Sequence, residues 1–365
     1  MTEPQTRAGF VAVIGAPNAG KSTLVNALVG QKVAIVSPKA QTTRARLMGI
    51  AIADRTQILL VDTPGIFEPR RRLDRAMVAS AWGAATDADM ALLLVDARKE
   101  AGEASLTEDT QAILGALGER GKPRLAILNK IDLVERPKLL ELAARLNAAL
   151  AFDETFMVSA TTGDGLDRLL DRLAAMIPAG PWLYPEDQIA EAPIRSLAAE
   201  ITREKLIERL HDELPYQATV ETDEWKEKPD GSARIEQTIF VTRESHRKIV
   251  LGEGGRTIKA IGVAARKDIA EAHGAPVHLF LHVKVREKWL DDPERYRAMG
   301  LEFPRDSPVR RFGLARRSAG RSVENQQFLD GPVRPMLLFY RNRQRRSAVF
   351  TTPRPAVSRR NEKRS

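Results

Sequence analysis

The chain has 365 residues, of which 43% are hydrophobic and 29% are charged. This composition is that of a water-soluble globular protein, and the length allows two or three domains. No run approaches the roughly 18 apolar residues of a membrane span, and the first residues lack the apolar segment of a signal peptide. The absence of cysteine excludes disulfides, thiolate metal sites and cysteine nucleophiles, and it favours a cytoplasmic location.

The net charge of +9 is unevenly distributed. Residues 306–365 contain 14 Arg and one Lys against four acidic residues, which gives this tail a net charge of +11. The first 305 residues therefore carry a net charge of −2. The high isoelectric point belongs to the tail, and alone it does not indicate that the folded domains bind nucleic acid.

A glycine-rich loop, GAPNAGKS, lies between an apolar β-prone stretch at 10–15 and residues 22–30, whose apolar positions have helical spacing. In this context the pattern G-x-x-x-x-G-K-[ST] surrounds phosphates with backbone N–H groups and a helix N-terminus. Lys21 is expected to reach the outer phosphates and Ser22 to bind Mg²⁺. The predicted nucleotide-binding residues here are Gly15, Ala16, Pro17, Asn18, Ala19, Gly20, Lys21, Ser22 and Thr23.

A second apolar strand, at 55–62, runs into the sequence DTPGI. A carboxylate at the carboxyl end of a parallel strand faces the ligand crevice, so Asp62 is expected beside the Mg²⁺ ion. Gly65 can offer its backbone N–H to the terminal phosphate. The predicted nucleotide-binding residues of this motif are Asp62, Thr63, Pro64, Gly65 and Ile66.

The intervening residues 37–47 are polar and lack periodicity, which suits a mobile loop that senses the nucleotide. A threonine hydroxyl in such a loop binds Mg²⁺ only when the γ-phosphate is present. Thr43 is the expected metal ligand together with Ser22 and Asp62, and Thr42 is an alternative that the sequence leaves open. The candidate catalytic residues from these motifs are Lys21, Thr43 and Gly65.

The base-recognition motif is NKID, at the end of an apolar strand near 124–129. The Asp132 carboxylate can accept from the ring N–H and the exocyclic amine of guanine, a donor pair that adenine lacks. The Lys130 stem can lie against the base, and Asn129 can connect this loop to the phosphate loop. A further strand runs into Ser159 and Ala160, where a backbone N–H can reach the guanine carbonyl.

Residues 10–178 alternate strands and helices, as in a parallel sheet with helices on both faces. This part resembles a translation-factor-class small GTPase, and GAPNAGKSTLVNAL, KAQTTR, DTPGIF and NKID resemble the Era family. The resemblance implies an α/β P-loop GTPase that uses GTP, GDP and Mg²⁺. Ras-like relatives have a water-orienting glutamine where this chain has Ile66, so slow turnover is expected. Asn18 matches the asparagine of potassium-activated GTPases, which implies that Asn18 is a further catalytic residue and that K⁺ is a further cofactor.

A Pro/Gly-rich stretch ends the alternating pattern and predicts a linker at 179–193, after a GTPase domain at 8–178. Residues 194–305 then read as helix, two strands, helix, G-x-x-G, helix and strand, the order of an α+β type II KH domain. Its glycine loop would clamp about four nucleotides of single-stranded RNA. The predicted RNA-binding residues are Lys248, Gly252, Glu253, Gly254, Gly255, Arg256 and Lys259.

The resemblance to the Era family extends to about residue 305. It implies a cytoplasmic GTPase that binds the 3′ end of small-subunit ribosomal RNA and assists maturation of the 30S subunit, and we expect a monomer. Glu253 departs from the polar or basic residues usual in this loop, so a weaker contact with phosphates is expected there. Residues 306–365 depart from the family, are expected to be disordered, and would add salt-dependent RNA affinity if they have a role.

Two other functions remain open from the sequence. One is a GTP-dependent RNA-modifying enzyme, which the potassium-type asparagine allows but no second catalytic constellation supports. The other is a membrane-associated signalling switch with peripheral contact at the inner face of the cell membrane, for which the arginine-rich tail is the only feature.

Overall fold

The computed structural model describes residues 5–39, 42–122, 124–190, 194–210, 214–287 and 289–304. The chain divides into two units, Met1–Asp306 and Ser307–Ser365. All the described residues belong to the first unit. The tail expected to be disordered, 306–365, lies outside the described residues.

The first domain is built on a six-stranded sheet with the order β2-β3-β1-β4-β5-β6. Strands β2 and β3 pair antiparallel, and the other pairs are parallel. The strands are β1 Arg7–Ile14, β2 Leu47–Ala53, β3 Thr56–Asp62, β4 Met90–Asp96, β5 Arg124–Asn129 and β6 Glu154–Val158. The predicted mostly parallel sheet is confirmed.

Six helices belong to this domain among the described residues: α1 Lys21–Val29, α2 Arg72–Asp87, α3 Ala97–Glu100, α4 Glu108–Gly118, α5 Arg136–Ala149 and α6 Leu166–Met176. The strands carry long apolar runs because both sheet faces are covered. In β1, for example, Val11 and Val13 pack in one core, while Ala12 and Ile14 pack in another on the opposite face.

Strand register brings the polar motifs to one edge of the sheet. Asp62 pairs with Val13 just before the phosphate loop, and Asp96 pairs with Asn129 on the neighbouring strands. Parallel strands end in the same direction, so carboxylate and amide side chains far apart in sequence meet at the carboxyl edge. This is the edge at which a nucleotide is expected.

The predicted linker follows the surface of the first domain. Ala179 forms a β-bridge with Arg7, and Ala190 forms one with Gly49. The Gln57 side chain accepts the N–H groups of Leu183 and Tyr184. The linker is therefore fixed to strands β1, β2 and β3 along most of its described length.

The second domain has the predicted type II KH order. Its elements are α7 Ile194–Arg209, β7 Ala218–Glu227, β8 Ala233–Val241, α8 Glu244–Leu251, α9 Arg256–His273 and β9 Val277–Val285. The sheet order is β7-β8-β9, with β7 and β8 antiparallel and β8 and β9 parallel. Helix α7 ends at Arg209, and a 3-10 turn at Leu214–Gln217 comes before β7.

A C-terminal segment follows β9 and returns to the first domain. A short helix, α10 Pro293–Ala298, packs its Tyr296 beside Leu73 and Met77 of α2. Arg72 of α2 forms an ion pair with Asp291, with 3.0 Å between the charged atoms. Among the described residues, no helix is long and apolar enough to span a membrane.

Candidate functional site

The phosphate loop needs its glycines for steric reasons. Gly15 has a φ of 154°, and a Cβ atom there would lie 2.3 Å from the Leu94 carbonyl oxygen. Gly20 has a φ of 97°, and a Cβ there would lie 2.4 Å from the amide nitrogen of Asn129. Larger residues would push the loop away from β4 and β5 and remove it from its position at the start of α1.

Lys21 is buried at the centre of the loop. Its Nζ donates to the carbonyl oxygens of Gly15 at 3.2 Å and Ala16 at 2.9 Å. Burial lowers the pKa of Lys21 to about 8, although the nearby Asp62 raises it. A buried ammonium is costly without an anion, so this lysine is suited to hold a phosphate.

Ser22, Thr43 and Asp62 form a cluster at the carboxyl end of β3. Ser22 Oγ lies 2.6 Å from Asp62 Oδ2 and 2.9 Å from Thr43 Oγ1, and Thr43 Oγ1 lies 3.4 Å from the same carboxylate oxygen. Thr42 is not in this cluster, because its hydroxyl donates to the Lys39 carbonyl. The structure thus brings Thr43, rather than Thr42, to the predicted metal ligands.

The cluster fits a Mg²⁺ ion. Burial raises the pKa of Asp62 to about 6, against the lowering effects of the Ser22 hydrogen bond and of Lys21. Its Oδ1 is buried and has no hydrogen-bond partner within the described ranges. Two hydroxyls and one carboxylate with an unsatisfied oxygen suit a hard cation that also takes phosphate and water ligands. When bound, Mg²⁺ neutralises charge that develops on the phosphates during transfer.

The base end of the site is assembled by Asn129 and Lys130. Asn129 Nδ2 donates to the Ala19 carbonyl at 2.9 Å, and its Oδ1 accepts from the Ala160 N–H at 3.0 Å. The predicted connection between the base loop and the phosphate loop is therefore present. Lys130, with a φ of 65°, donates to the Asn18 carbonyl at 2.8 Å and to Asp96 at 2.5 Å.

Two of the predicted contact regions make hydrogen bonds within the protein. The Ser159 N–H donates to the Asp164 carbonyl, and the Ala160 N–H donates to Asn129 Oδ1. The Ile66 side chain packs in the core, and its N–H donates to the Gly15 carbonyl at 3.0 Å.

A cavity of about 300 Å³ occupies this edge of the sheet. Its lining includes ten of the predicted residues: Pro17, Asn18, Gly20, Lys21, Ser22, Thr23, Thr43, Thr63, Gly65 and Lys130. The other predicted residues of the site are not in the lining: Gly15, Ala16, Ala19, Asp62, Pro64, Ile66, Asn129, Asp132, Ser159 and Ala160. Asp132 is exposed and lies in the 3-10 turn Ile131–Leu133, which follows Lys130.

The second candidate site is the glycine loop between α8 and α9. Gly252 has a φ of 72°, and a Cβ there would lie 2.2 Å from Thr257 Oγ1, so only glycine fits. Gly254 and Gly255 also have positive φ but open surroundings. Lys248, Arg256 and Lys259 are exposed around the loop. Glu253 forms an ion pair with Arg256, so one predicted cation is partly neutralised.

Comparison with known proteins gives a family for each of the two domains. Residues 10–130 match the family described as "50S ribosome-binding GTPase", and residues 213–290 match the KH domain. GTPase Era of Afipia carboxidovorans is 64% identical over 301 residues, which cover 82% of this chain and 96% of that protein. GTPase Era of Rhizobium meliloti is 60% identical over 300 residues, with 82% and 94% covered. The chain belongs to the Era GTPase family.

Solved structures of Era support the same assignment. A crystal structure of Era with MgGDPNP and nucleotides 1506–1542 of 16S ribosomal RNA has a TM-score of 0.75 and 36% identity, covering 81% of this chain and 99% of that one. A variant of Aquifex aeolicus Era bound to GDP·AlF₄⁻ has the same values. As an Era-family GTPase, the protein hydrolyses GTP to GDP and phosphate with Mg²⁺.

Several residues of the site were not predicted from the sequence. Asp96 holds Lys130, while Ile35, Val36, Ser37 and Pro38 line the cavity. Arg44, next to the metal-site threonine, is buried against the KH domain of this Era-family chain. The sequence signal for Asp96 is its position at the end of an apolar strand. No local pattern indicates the role of Arg44, because its hydrogen-bond partners are more than 170 positions away.

Proposed function

We propose that this protein is a GTP-controlled RNA-binding switch that binds the 3′ end of 16S ribosomal RNA and assists maturation of the 30S subunit. The observation that carries the proposal is that both sites lie in one compact unit, where the nucleotide-sensing loop contacts the KH domain. The RNA-bound Era structure supports the choice of ligand. We assign residues 8–178 to GTP hydrolysis, 179–193 to the linker and 194–305 to RNA binding.

The roles of the site residues follow from their positions. Lys21 and the phosphate-loop N–H groups hold the phosphates, while Ser22, Thr43 and Asp62 hold Mg²⁺. Asp132 selects guanine by accepting from its two neighbouring donors. With no hydrogen-bonding side chain at Ile66, the attacking water lacks one common orienting group, so we propose slow intrinsic turnover.

In the RNA site, the exposed cations Lys248, Arg256 and Lys259 neutralise phosphates, and the Gly252–Gly255 loop lets the RNA backbone approach closely. Bound GTP orders residues 37–47 and 62–80 and thereby changes access to the KH domain. A ligand shifts such an equilibrium only by its differential affinity for the two states. RNA affinity must therefore differ between the GDP and GTP forms.

The test is RNA binding by the full chain, using an oligonucleotide from the 3′ end of 16S ribosomal RNA labelled for fluorescence anisotropy. Binding is measured with GDP and with a non-hydrolysable GTP analogue, and a shuffled oligonucleotide is the control. We expect tighter binding of the native sequence with the analogue. Equal affinity for the native and shuffled sequences, or for the two nucleotide states, would contradict the proposal.

Three finer features complete the proposal. We propose K⁺ activation because Asn18 borders the cavity, and replacing K⁺ with Na⁺ in a turnover assay tests it. We propose a cytoplasmic monomer, which light scattering of the full chain checks. Peripheral membrane contact would rest on the arginine-rich composition of residues 306–365 alone, and flotation with anionic vesicles tests it.

A further inference from the structure

The nucleotide-sensing loop, residues 37–47, is attached to the KH domain at several points. Lys39 donates to the carbonyl oxygens of Ile207, at 2.7 Å, and of Leu210, both near the C-terminal end of α7. Just before the loop, the Val36 N–H donates to Glu204 of the same helix at 2.7 Å. Cations are favourable at a helix C-terminus, so α7 provides a preferred position for this loop.

Arg44 makes a buried attachment between the loop and the KH domain. Its side chain is only 5% exposed and donates to the carbonyl oxygens of Ala218 at 2.9 Å and Tyr216 at 3.2 Å, at the start of β7. Its guanidinium lies 5.7 Å from the centre of the Trp289 ring. A guanidinium that has lost its water is stable only where fixed acceptors replace it, so the KH backbone determines where Arg44 sits.

On the other side of Thr43, the backbone of Thr42 is held by a second buried arginine. Arg203 of α7 is 1% exposed, donates to the Thr42 carbonyl and forms an ion pair with Glu200. The residues that precede and follow Thr43 are thus both fixed by the KH domain. Between them, the Thr43 hydroxyl lies 2.9 Å from Ser22 Oγ.

We propose that the KH domain is a working part of the GTP site, and that Arg44 and Arg203 are positioning residues that act through Thr43. Neither arginine lines the nucleotide cavity, whereas Thr42 and Thr43 do. Their effect is to hold the Thr43 hydroxyl beside Ser22 and Asp62, where Mg²⁺ and the terminal phosphate are bound. This role does not depend on RNA binding, so it can be tested without RNA.

The proposal predicts a difference between nucleotides. Thr43 is needed when the γ-phosphate is present, but GDP is held by the phosphate loop and the base loop without it. Arg44→Gln should therefore weaken binding of a GTP analogue by about tenfold to a hundredfold, the range for loss of charged hydrogen bonds. It should lower kcat and leave GDP affinity within about twofold, a margin of the size that a surface substitution causes.

Lys32→Gln is the matched control. Lys32 also crosses between the domains, with Nζ 2.6 Å from Glu204 and 3.6 Å from Asp268, but it lies outside the sensing loop. Its loss should leave the ratio of GTP-analogue to GDP affinity unchanged. Arg44→Lys keeps the charge and removes the forked geometry, so it should give an intermediate ratio and serves as the second variant if Arg44→Gln does not fold.

The deciding experiment is a double-mutant cycle on the ratio of GTP-analogue to GDP affinity, measured by competition with a fluorescent GDP analogue. In a Thr43→Ala background, Arg44→Gln should change the ratio no further, because the residue through which it acts is absent. Additive effects in the double variant, an unchanged ratio in Arg44→Gln, or an equal change in Lys32→Gln would each overturn the proposal. Failure of RNA binding would contradict the proposed function and leave this inference standing.

Discussion

Removal of the Ser22 hydroxyl should change the pH dependence of Mg²⁺ binding. Ser22 Oγ lies 2.6 Å from Asp62 Oδ2. Burial raises the pKa of Asp62 to about 6, although this hydrogen bond lowers it. A hydrogen bond to a charged group contributes about 1.5–3 kcal/mol, and one pKa unit corresponds to about 1.4 kcal/mol. Ser22→Ala should therefore raise the pKa of Asp62, and the pH below which Mg²⁺ binding weakens should move upward by about 1–2 pH units.

The assay is the dissociation constant of Mg²⁺ for the GDP-loaded protein between about pH 5.5 and 8.5. Mg²⁺ competes with one proton, so the constant should rise about tenfold per pH unit below the pKa of Asp62. Loss of a metal ligand weakens binding at every pH, so the measured quantity is the pH at which this rise begins. GDP is present in both proteins, so protonation of its phosphate cancels in the comparison.

Thr43→Val is the matched control, because its hydroxyl is farther from the carboxylate, at 3.4 Å. It should shift the onset less than Ser22→Ala does. An onset at the same pH in wild type and Ser22→Ala would refute the reasoning. A larger shift in Thr43→Val would show that the short Ser22 hydrogen bond does not set the pKa of Asp62.

Three further outcomes are expected. Glu253→Gln frees Arg256 from its ion pair, so RNA affinity should rise. The slope of log affinity against log salt concentration should steepen by about 0.7, the value for one phosphate contact on a single strand. An unchanged slope would contradict this prediction. Gly252→Ala places a Cβ 2.2 Å from Thr257 Oγ1, so thermal unfolding should show a loss of about 1–3 kcal/mol, whereas Gly254→Ala, with open surroundings, should cost less. Asp132→Asn should weaken GTP binding about a hundredfold or more and ITP binding less, because ITP lacks the exocyclic amine; equal losses measured by competition would argue against this role.

The nucleotide site could largely be predicted from the sequence because its parts are local motifs joined by a common sheet edge. Ser22 and Asp62 are 40 positions apart, yet each follows a strand whose carboxyl end is fixed by the parallel fold. The sequence could not separate Thr42 from Thr43, since adjacent threonines in an irregular loop differ only in what they contact. That difference depends on Lys39 and Ser22, which only the folded chain brings together with them.

Contacts between the domains could not be predicted from local sequence patterns. Arg44 and Arg203 look like ordinary charged residues in sequence, but both are nearly inaccessible to solvent. The acceptors that they meet in the other domain are backbone carbonyl oxygens, which every residue carries and no motif marks. The Glu253–Arg256 ion pair is different, because residues three apart near a helix start are neighbours and opposite charges there predict such a pair.

The most direct test of the account is reciprocal linkage between the two sites. The affinity of the full chain for a non-hydrolysable GTP analogue would be measured with and without a saturating oligonucleotide from the 3′ end of 16S ribosomal RNA. If the analogue strengthens RNA binding, thermodynamic linkage requires the RNA to strengthen analogue binding by the same factor. The account predicts this tightening, with little change for GDP. Equal analogue affinity with and without RNA would contradict it.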